Sequence, residues 1–364
     1  MSLRIGMLTS GGDCQGLNPT MRGVAKALFE KDPGTEILGF LDGYAGLMHC
    51  HYRKMRSQEF SGILTLGGTI LGTSRQPYKQ MDERLYPGKP DGPTKLEAMV
   101  NSYKEMRLDA LVVLGGNGSL KSASLLADQG LNVIGLPKTI DNDLGLTEET
   151  FGFNSAFTLA TQVIDGIHTT ATSHGRVFII EIMGHKVGWL ALYSGIAGGA
   201  DIILLPEIPY KLNSVLKAIN TREKHKKRFS IIVIAEGAMT VEEAQLSSKE
   251  LEASRAARGF RGACYDLEDA MEGLALQEVR VAVPGHFVRG GSPSAYDRLL
   301  STELGVEAAK MIWEKDFGRM PVVINGRIDR TEIKTAAFNL KKVPLDSPMI
   351  EAARLTGISF GDED

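Results

Sequence analysis

The sequence has few cysteines and no pattern that pairs them. Cys14, Cys50 and Cys264 lie far apart in a chain of 364 residues. They lack the close spacing of a metal site and the paired spacing of a disulfide framework. We therefore expect three reduced thiols.

Long apolar runs and an excess of positive charge are also absent. No run reaches about 18 apolar residues, the length that a membrane-spanning helix needs, and the first residues lack the apolar stretch of a signal peptide. The 41 Lys and Arg against 44 Asp and Glu give a net charge of -3, which leaves no positive surplus for nucleic acid or an anionic membrane. We predict a cytoplasmic protein with neither partner, in which any phosphate binding is local.

Three familiar nucleotide-binding patterns are missing. The sequence contains neither the P-loop pattern nor the glycine-rich loop of protein kinases, and no Gly-x-Gly-x-x-Gly turn follows its first apolar segment. The common nucleotide-kinase families are therefore poor matches. A doubly wound NAD enzyme is also disfavoured.

Short apolar segments alternate with amphipathic stretches along most of the chain, a pattern typical of parallel strands covered by helices. The length of 364 residues and the 43% hydrophobic content favour an α/β protein with two lobes, each with its own core. The predicted strands are residues 4–8, 36–40, 110–114, 132–136, 177–183, 201–205, 230–235 and 279–283.

Two glycine-rich turns follow predicted strands. They are TSGGDCQGLN at residues 9–18, where Asn18 can cap the next helix, and LGGNGS at residues 114–119. Turns of this kind at helix N-termini bind phosphate through backbone N–H groups, although a single one also serves tight packing alone. Two together could hold an oligophosphate.

Two further segments add charged groups. The run GLPKTIDND, residues 135–143, is predicted as a loop after a strand, and it brings two carboxylates close to an ammonium and a hydroxyl. Phosphoryl transfer needs a carboxylate to accept a proton, an acidic group for magnesium and cations near the transferred group. In PGHFVRGGSP, residues 284–293, a His and an Arg three residues apart suit a phosphate dianion, as does Arg280 upstream.

Taken together, these motifs resemble the phosphofructokinase family. The resemblance includes the two segments above, the first glycine turn, GGTILGTSR at residues 67–75, Met183-Gly184 and Ala235-Glu236, all in family order. It implies two Rossmann-like lobes with parallel sheets and an active site in the cleft between them. It also implies transfer of a phosphoryl group to the 1-hydroxyl of fructose 6-phosphate, giving fructose 1,6-bisphosphate in glycolysis.

The resemblance also assigns roles to individual residues. Asp141 would be the catalytic base, with Thr139, Arg75 and the backbone of Gly12 stabilising the transferred group. The implied donor-binding residues are Gly12, Tyr44, Arg75, Gln76, Gly116, Asn117, Gly118, Ser119 and Lys138. The implied substrate-binding residues are Thr139, Asp141, Arg176, Met183, Gly184, His185, Glu236, Arg280, His286 and Arg289.

In the family, the counterparts of Arg176 and Arg280 reach the site from a neighbouring subunit, which implies a homotetramer or at least a homodimer. The resemblance further predicts three segments of lobe structure. They are a donor-binding lobe of residues 1–140 and about 255–300, a sugar-phosphate lobe of residues 141–254 and about 301–325, and a C-terminal extension of residues 326–364 that packs on the lobes.

Two positions bear on the phosphoryl donor, which is ATP in some family members and inorganic pyrophosphate in others. An Asp at position 118, usual in pyrophosphate enzymes, would occupy the space of the inner phosphates of a nucleotide, and Gly118 leaves that space open. Lys138 is typical of pyrophosphate enzymes but also occurs in some that use ATP. Because a steric block is harder to bypass than an added charge is to tolerate, we predict ATP, with pyrophosphate as the alternative.

The implied cofactor is Mg²⁺, and the implied metal residues are Asn117 and Asp143. Substrate phosphates would hold most of the ion, helped by Asp13, Asp141 or Asp143. Asn117 stands where most relatives carry an acid, so a neutral amide replaces one anionic contact. His185 likewise replaces an Arg that commonly contacts donor phosphates. These departures keep a further alternative open, an inactive homologue that binds sugar phosphate and regulates.

Overall fold

A computed structural model describes residues 2–363 and divides them into two compact units. Unit 1 comprises residues 2–155 and 289–341, and unit 2 comprises residues 156–288 and 342–363. The strands are β1 (Arg4–Ser10), β2 (Glu36–Phe40), β3 (Tyr52–Met55), β4 (Ala110–Gly115), β5 (Val133–Thr139), β6 (Phe151–Gly152), β7 (Val177–Ile182), β8 (Ile202–Leu204), β9 (Ser230–Ala235), β10 (Val279–Ala282), β11 (Arg319–Ile324) and β12 (Arg327–Glu332).

Helices cover these sheets and connect their strands. The α-helices are α1 (Leu17–Lys31), α2 (Tyr44–Met48), α3 (Lys95–Glu105), α4 (Asn117–Asp128), α5 (Phe153–His174), α6 (Trp189–Ala197), α7 (Leu212–Lys224), α8 (Ser248–Ala257), α9 (Ala263–Met271), α10 (Ala295–Glu314), α11 (Ile333–Phe338) and α12 (Pro348–Leu355). Short 3-10 turns complete the connections. Within residues 2–363, no helix is both long and apolar enough to span a bilayer.

The sheet of unit 1 has the strand order β12-β11-β5-β4-β1-β2-β3, and β6 pairs with the end of β5. Its central strands β1, β4 and β5 are parallel neighbours, and all six residues of β4 are buried. A continuous apolar run of this kind is typical of a strand with helices on both faces. The carboxyl ends of β1, β4 and β5 therefore lie side by side at one edge of the sheet.

Unit 2 has a smaller sheet of four parallel strands in the order β10-β7-β9-β8. Its apolar core includes Val177, Ile179, Ile232 and Ile234, all fully buried. Parallel-sheet cores in both units confirm the α/β class.

Each of the eight predicted strands is present, but the bounds differ in one place that affects the site. The strand predicted at residues 132–136 continues to Thr139, because Pro137 is accommodated opposite Gly115 and β6 then pairs with Lys138 and Thr139. The prediction that these two residues lie in a loop after the strand was wrong. The sequence pattern also missed β3 and β12, which are largely polar edge strands, and β11, which contains Pro321.

The bounds of the two units also differ from those of the predicted lobes. Residues 141–155 belong to unit 1, since the buried carboxylate of Asp297 on α10 accepts hydrogen bonds from the amides of Gly152 and Ser155 at 3.1 and 2.7 Å. For the same reason α10 lies in unit 1. The segment predicted as one C-terminal extension divides after Lys341, where the chain passes from unit 1 to unit 2.

Candidate active site

The first glycine turn of unit 1 is joined to a loop sixty residues away in the sequence. Gly11 follows β1 with a φ of +87°. Its amide donates to the carbonyl of Ser74 at 3.1 Å, and its carbonyl accepts from the hydroxyl of Thr73 at 2.7 Å. Arg75 is the next residue, and its side chain is exposed. The pairing thus places a guanidinium on the same loop segment that holds the glycine turn.

Asn18 holds this loop from beneath, which corrects the prediction that it caps a helix. Its side-chain amide donates to the carbonyls of Leu66 and Gly67 at 3.0 and 3.1 Å, and its Oδ1 accepts from the amide of Ile70 at 2.9 Å. Helix α1 begins one residue before Asn18 and has no side-chain cap. Gly67 is required here, because a Cβ would lie 1.9 Å from the carbonyl oxygen of Gly291.

The second glycine turn is linked directly to the first. Helix α4 begins at Asn117, so its free N–H groups face the carboxyl edge of the sheet. The hydroxyl of Ser119 donates to that of Ser10 at the end of β1, at 3.0 Å. Tyr44 is fully buried, and its hydroxyl donates to the carbonyl of Ser119 at 2.6 Å. Tyr44 therefore supports the turn from behind, rather than presenting a surface to a ligand.

Gly118 borders open space. A Cβ at this position would meet no atom within 4 Å, and the residue is exposed. Its backbone does not have a positive φ. A side chain at position 118 would therefore cause no strain, and its absence leaves the space at the N-terminus of α4 open.

Lys138 and Thr139 end β5 and point in opposite directions, as successive residues of a strand do. Lys138 is only 4% exposed, and its ammonium donates to the carbonyl of Gly12. Burial lowers the pKa of Lys138, with the charge of Arg289 acting in the same direction and those of Asp141 and Asp143 opposing it. The ammonium thus lies beneath the first glycine turn. Sequence alone could not assign it that direction.

The carboxylates of Asp141 and Asp143 come directly after the end of β5. The amide of Asp141 donates to the hydroxyl of Thr139 at 3.1 Å, a short turn that brings the chain back to the end of β5. The side-chain amide of Asn117 donates to Oδ2 of Asp143 at 2.7 Å. Oδ1 of Asn117 is buried and accepts no hydrogen bond from the described residues. The structure therefore brings Asn117 and Asp143 together, with one acceptor oxygen unsatisfied.

Arg289 also lies at the first glycine turn. Its Nη1 donates to the carbonyl of Asp13 at 3.1 Å, and a Cβ on Gly12 would lie 3.0 Å from the same nitrogen. Next to it, the side-chain amide of Gln15 donates to the carbonyl of Gly290 at 2.9 Å. Arg289 is the first residue of unit 1 after the chain leaves unit 2, whereas His286 is exposed in unit 2.

In unit 2, four of the predicted substrate residues gather at the carboxyl ends of β7 and β9. Met183, Gly184 and His185 follow β7, and Glu236 follows β9. The amide of Glu236 donates to the end of β7 at 2.9 Å, and Nδ1 of His185 lies 3.9 Å from a carboxylate oxygen of Glu236. Both side chains are exposed enough to meet a ligand.

Arg176 and Arg280 lie at the opposite edge of the same sheet. Arg176 precedes β7 and Arg280 is near the start of β10, and both pair with the carboxylate of Glu278. At about 3.3 Å per strand residue, β7 separates Arg176 from Met183 by roughly 20 Å. Unit 2 of one chain therefore does not bring these arginines to the Met183 cluster.

Several residues that shape the site carried no signal that the sequence analysis used. Glu278, which holds both arginines, is an acid two residues before Arg280, and alternating charge at a strand start could have indicated the pair. Ser10 acts through a hydrogen bond with the hydroxyl of Ser119. Lys341 lies some two hundred residues from the loop that it contacts, so no local pattern could have found it.

Comparison with known proteins decides the family. The phosphofructokinase family model matches residues 4–312. The chain belongs to the phosphofructokinase family. The predicted resemblance is confirmed.

Curated relatives match over almost the whole chain. An ATP-dependent 6-phosphofructokinase of Spirochaeta thermophila is 48% identical over 360 residues, covering 98% of this chain and 97% of that protein. One of Propionibacterium freudenreichii is 42% identical and is matched over 100% of both chains. Among solved structures, phosphofructokinase from Pichia pastoris in the T-state is 29% identical with a TM-score of 0.76. The match covers 93% of this chain but only 35% of the Pichia chain. The phosphofructokinase fold is thus confirmed as well.

Proposed function

We propose that this protein is an ATP-dependent 6-phosphofructokinase, which transfers the terminal phosphoryl group of ATP to the 1-hydroxyl of fructose 6-phosphate. The names of relatives that are 48% and 42% identical over nearly the full chain support the reaction and favour ATP over pyrophosphate. One observation in the structure carries the proposal. Two glycine turns, joined by the Ser10–Ser119 hydrogen bond, lie at the sheet edge where β5 delivers Thr139 and Asp141.

We infer the roles of the site residues from the family resemblance, and this arrangement supports them. The carboxylate of Asp141 accepts the proton of the sugar 1-hydroxyl as that oxygen bonds to the terminal phosphorus and the bond to ADP breaks. The exposed guanidinium of Arg75 and the N–H of Gly12 stabilise the charge on the transferred group. The hydroxyl of Thr139 accepts a hydrogen bond from the amide of Asp141 and so stabilises the turn that carries Asp141.

The donor phosphates belong with the free N–H groups at the start of α4. The open space beside Gly118 supports a nucleotide, whose inner phosphates need that room. Gly116, Asn117 and Ser119 complete the turn. Tyr44 supports this turn through the carbonyl of Ser119, whereas Lys138 lies beneath the first glycine turn and donates to the carbonyl of Gly12. Gln76, on the segment that follows Arg75, completes the donor residues.

The site fits a magnesium ion bound mainly through phosphates. Mg²⁺ prefers oxygen ligands and retains several waters. Asp143 offers a carboxylate, and the buried Oδ1 of Asn117 has no partner among the described residues. A bound ion would neutralise charge on the donor phosphates. The protein's own part is to hold the side chain of Asn117 against that of Asp143, through the hydrogen bond from Nδ2 to Oδ2.

The Asn117→Asp variant tests this metal site. Two carboxylates would then face each other across the present 2.7 Å contact, repelling when no cation is present and both binding when Mg²⁺ arrives. We expect the Mg²⁺ concentration that gives half-maximal rate to fall about tenfold, equivalent to about 1.4 kcal/mol of added affinity. Titration of rate against free Mg²⁺ measures it. Asn117→Ala, which removes the oxygen, should raise that concentration; equal Mg²⁺ requirements in all three proteins would remove Asn117 from the site.

On the substrate side, Met183, Gly184, His185 and Glu236 of unit 2 would contact the sugar, while Arg289 and His286 would contribute to binding its 6-phosphate. β7 separates Arg176 from Met183 by roughly 20 Å. Arg280 lies opposite Phe178 near the same end of the sheet, and both arginines pair with Glu278. This supports their donation to the site of a neighbouring copy. We therefore propose a homodimer or homotetramer as the active form, acting in the cytoplasm.

A parallel assay tests the proposed function. The purified protein is given fructose 6-phosphate and Mg²⁺ with either ATP or pyrophosphate, and fructose 1,6-bisphosphate is measured. We expect product with ATP. Turnover with pyrophosphate but not with ATP would show that pyrophosphate is the donor. Binding of fructose 6-phosphate without turnover with either donor would indicate the inactive regulatory homologue.

A further inference from the structure

Lys341 binds the loop that follows Asp141 through both its side chain and its backbone. Its ammonium donates to Oδ1 of Asn142 at 2.9 Å and to the carbonyls of Thr147 and Glu148 at 2.8 and 2.7 Å. Its amide donates to the carbonyl of Asp143 at 2.9 Å. All of these residues belong to unit 1. One lysine therefore ties together both ends of the segment from Asn142 to Glu148.

The residues before Lys341 extend this attachment into a short ladder. Leu340 pairs with Leu144 in an antiparallel bridge, and the carbonyl of Asn339 accepts from the amide of Gly145 at 2.8 Å. The loop thus has a second strand-like partner, contributed by the last residues of unit 1. These residues lie beyond residue 312, where the match to the family model ends.

Asn142 is the point at which this support reaches the two carboxylates. It lies between Asp141 and Asp143, is 3% exposed and has a φ of +52°, a conformation that a residue with a side chain rarely adopts. Its side-chain amide also donates to the carbonyl of Glu148 at 3.2 Å. Because the backbone at Asn142 sets the directions of both neighbours, whatever fixes this residue also fixes the two carboxylates.

An ammonium suits the position chemically. The group has three donors and no acceptor, and it meets three oxygen acceptors within 2.9 Å. Burial lowers the pKa of Lys341 to about 8, and the carboxylates of Glu149, Asp143 and Glu148 oppose that shift. An apolar side chain would leave these acceptors without their donor, which a partly buried site tolerates poorly.

We propose that Lys341 is a positioning residue for phosphoryl transfer, which acts through Asn142 to hold Asp141 and Asp143 in their reactive directions. The inference rests on the proposed function, because only phosphoryl transfer makes the directions of these two carboxylates matter for a reaction. The contacts themselves do not depend on it. Groups that orient a reacting side chain typically change rates by 10- to 100-fold, because small displacements at the reacting atoms are costly.

The Lys341→Met variant keeps the length of the side chain and removes the donors. Lys342→Met is its matched control, since Lys342 is adjacent and exposed. We expect Lys341→Met to lower kcat with ATP and fructose 6-phosphate about 10- to 100-fold, with the KM for fructose 6-phosphate within about threefold of wild type. Lys342→Met should differ from wild type by less than about twofold. A kcat loss in Lys341→Met that only matches its loss of folded fraction overturns the proposal.

Asn142→Gly provides a second route that spares the lysine. Glycine adopts a positive φ without strain, so this variant removes the acceptor while the contacts of Lys341 to Thr147 and Glu148 remain. It should show the same kcat loss, and the double variant should be no worse than either single one, because both changes break one link. An unchanged kcat in Asn142→Gly overturns the proposal, even if Lys341→Met fails to fold.

Hydrogen exchange separates this inference from the proposed function. Amides of residues 141–146 should exchange at least about tenfold faster in Lys341→Met than in wild type or Lys342→Met, whether or not the protein is active. Wild-type protein inactive with ATP and fructose 6-phosphate would contradict the proposed function, and the exchange data would still decide on Lys341. Unchanged exchange in this segment overturns the positioning role.

Discussion

The Asp141→Asn variant should turn over roughly 10² to 10⁴ times more slowly than wild type, the usual range for loss of a general base. Asparagine has nearly the same shape as aspartate but cannot accept the proton of the sugar hydroxyl. The amide of Asp141 is held by Thr139 at 3.1 Å independently of the carboxylate, so the loop should keep its course. The KM for fructose 6-phosphate should change little.

Asp143→Asn is the matched comparison for this experiment. It removes a carboxylate two residues away that contacts Asn117 at 2.7 Å and that we assign to the metal. Excess Mg²⁺ should partly restore its rate, whereas no concentration of Mg²⁺ should restore Asp141→Asn. Steady-state kinetics over a Mg²⁺ series separates the two. A near-normal kcat in Asp141→Asn would remove this residue from its role as base.

The Gly118→Asp variant should lose at least about 100-fold in kcat/KM for ATP. A carboxylate would then stand in the space now open beside α4, against the inner phosphates of the nucleotide, and juxtaposed like charges cost several kcal/mol. A loss of about 3 kcal/mol corresponds to roughly 10² in rate. The fold should survive, because an acid in the first turn of a helix is favoured by its dipole.

Gly118→Ala separates the effect of charge from that of a small added volume. The open space means that a methyl group meets no atom within 4 Å, so this variant should retain most of its activity with ATP. Kinetics with ATP and with pyrophosphate, measured for both variants, complete the test. Full ATP activity in Gly118→Asp would show that the inner phosphates of the nucleotide do not lie beside this residue. The argument that Gly118 favours ATP over pyrophosphate would then be wrong.

Much of the fold could be predicted from the sequence, because parallel strands that are buried on both faces consist of continuous apolar runs. The strands at residues 36–40 and 230–235 were placed with their observed bounds. The edge strand β12 was missed, since its residues are mostly polar and it is held by pairing with β11 rather than by burial. Pro137 made β5 look shorter than it is. That one error turned Lys138 and Thr139 into loop residues.

For the candidate site, residue types were predictable and directions were not. The sequence indicated that Lys138 belongs with the donor residues, but only packing decides that its ammonium lies beneath Gly12. Asn18 has the right type and place for a helix cap, yet its hydrogen bonds go to the loop at residues 66–70. A side chain that can satisfy either backbone takes the partner that the tertiary structure brings within reach.

The sequence by itself determined the family, the α/β class and the chemical groups that surround Asp141. These are properties of residue type, order and local spacing, which survive without coordinates. Only the tertiary structure decided that Gly11 pairs with Ser74, that Arg176 stands at the far edge of its sheet from Met183, and that Lys341 holds Asn142. Each of these joins or separates residues by the course of the chain in space, and no local pattern encodes that course.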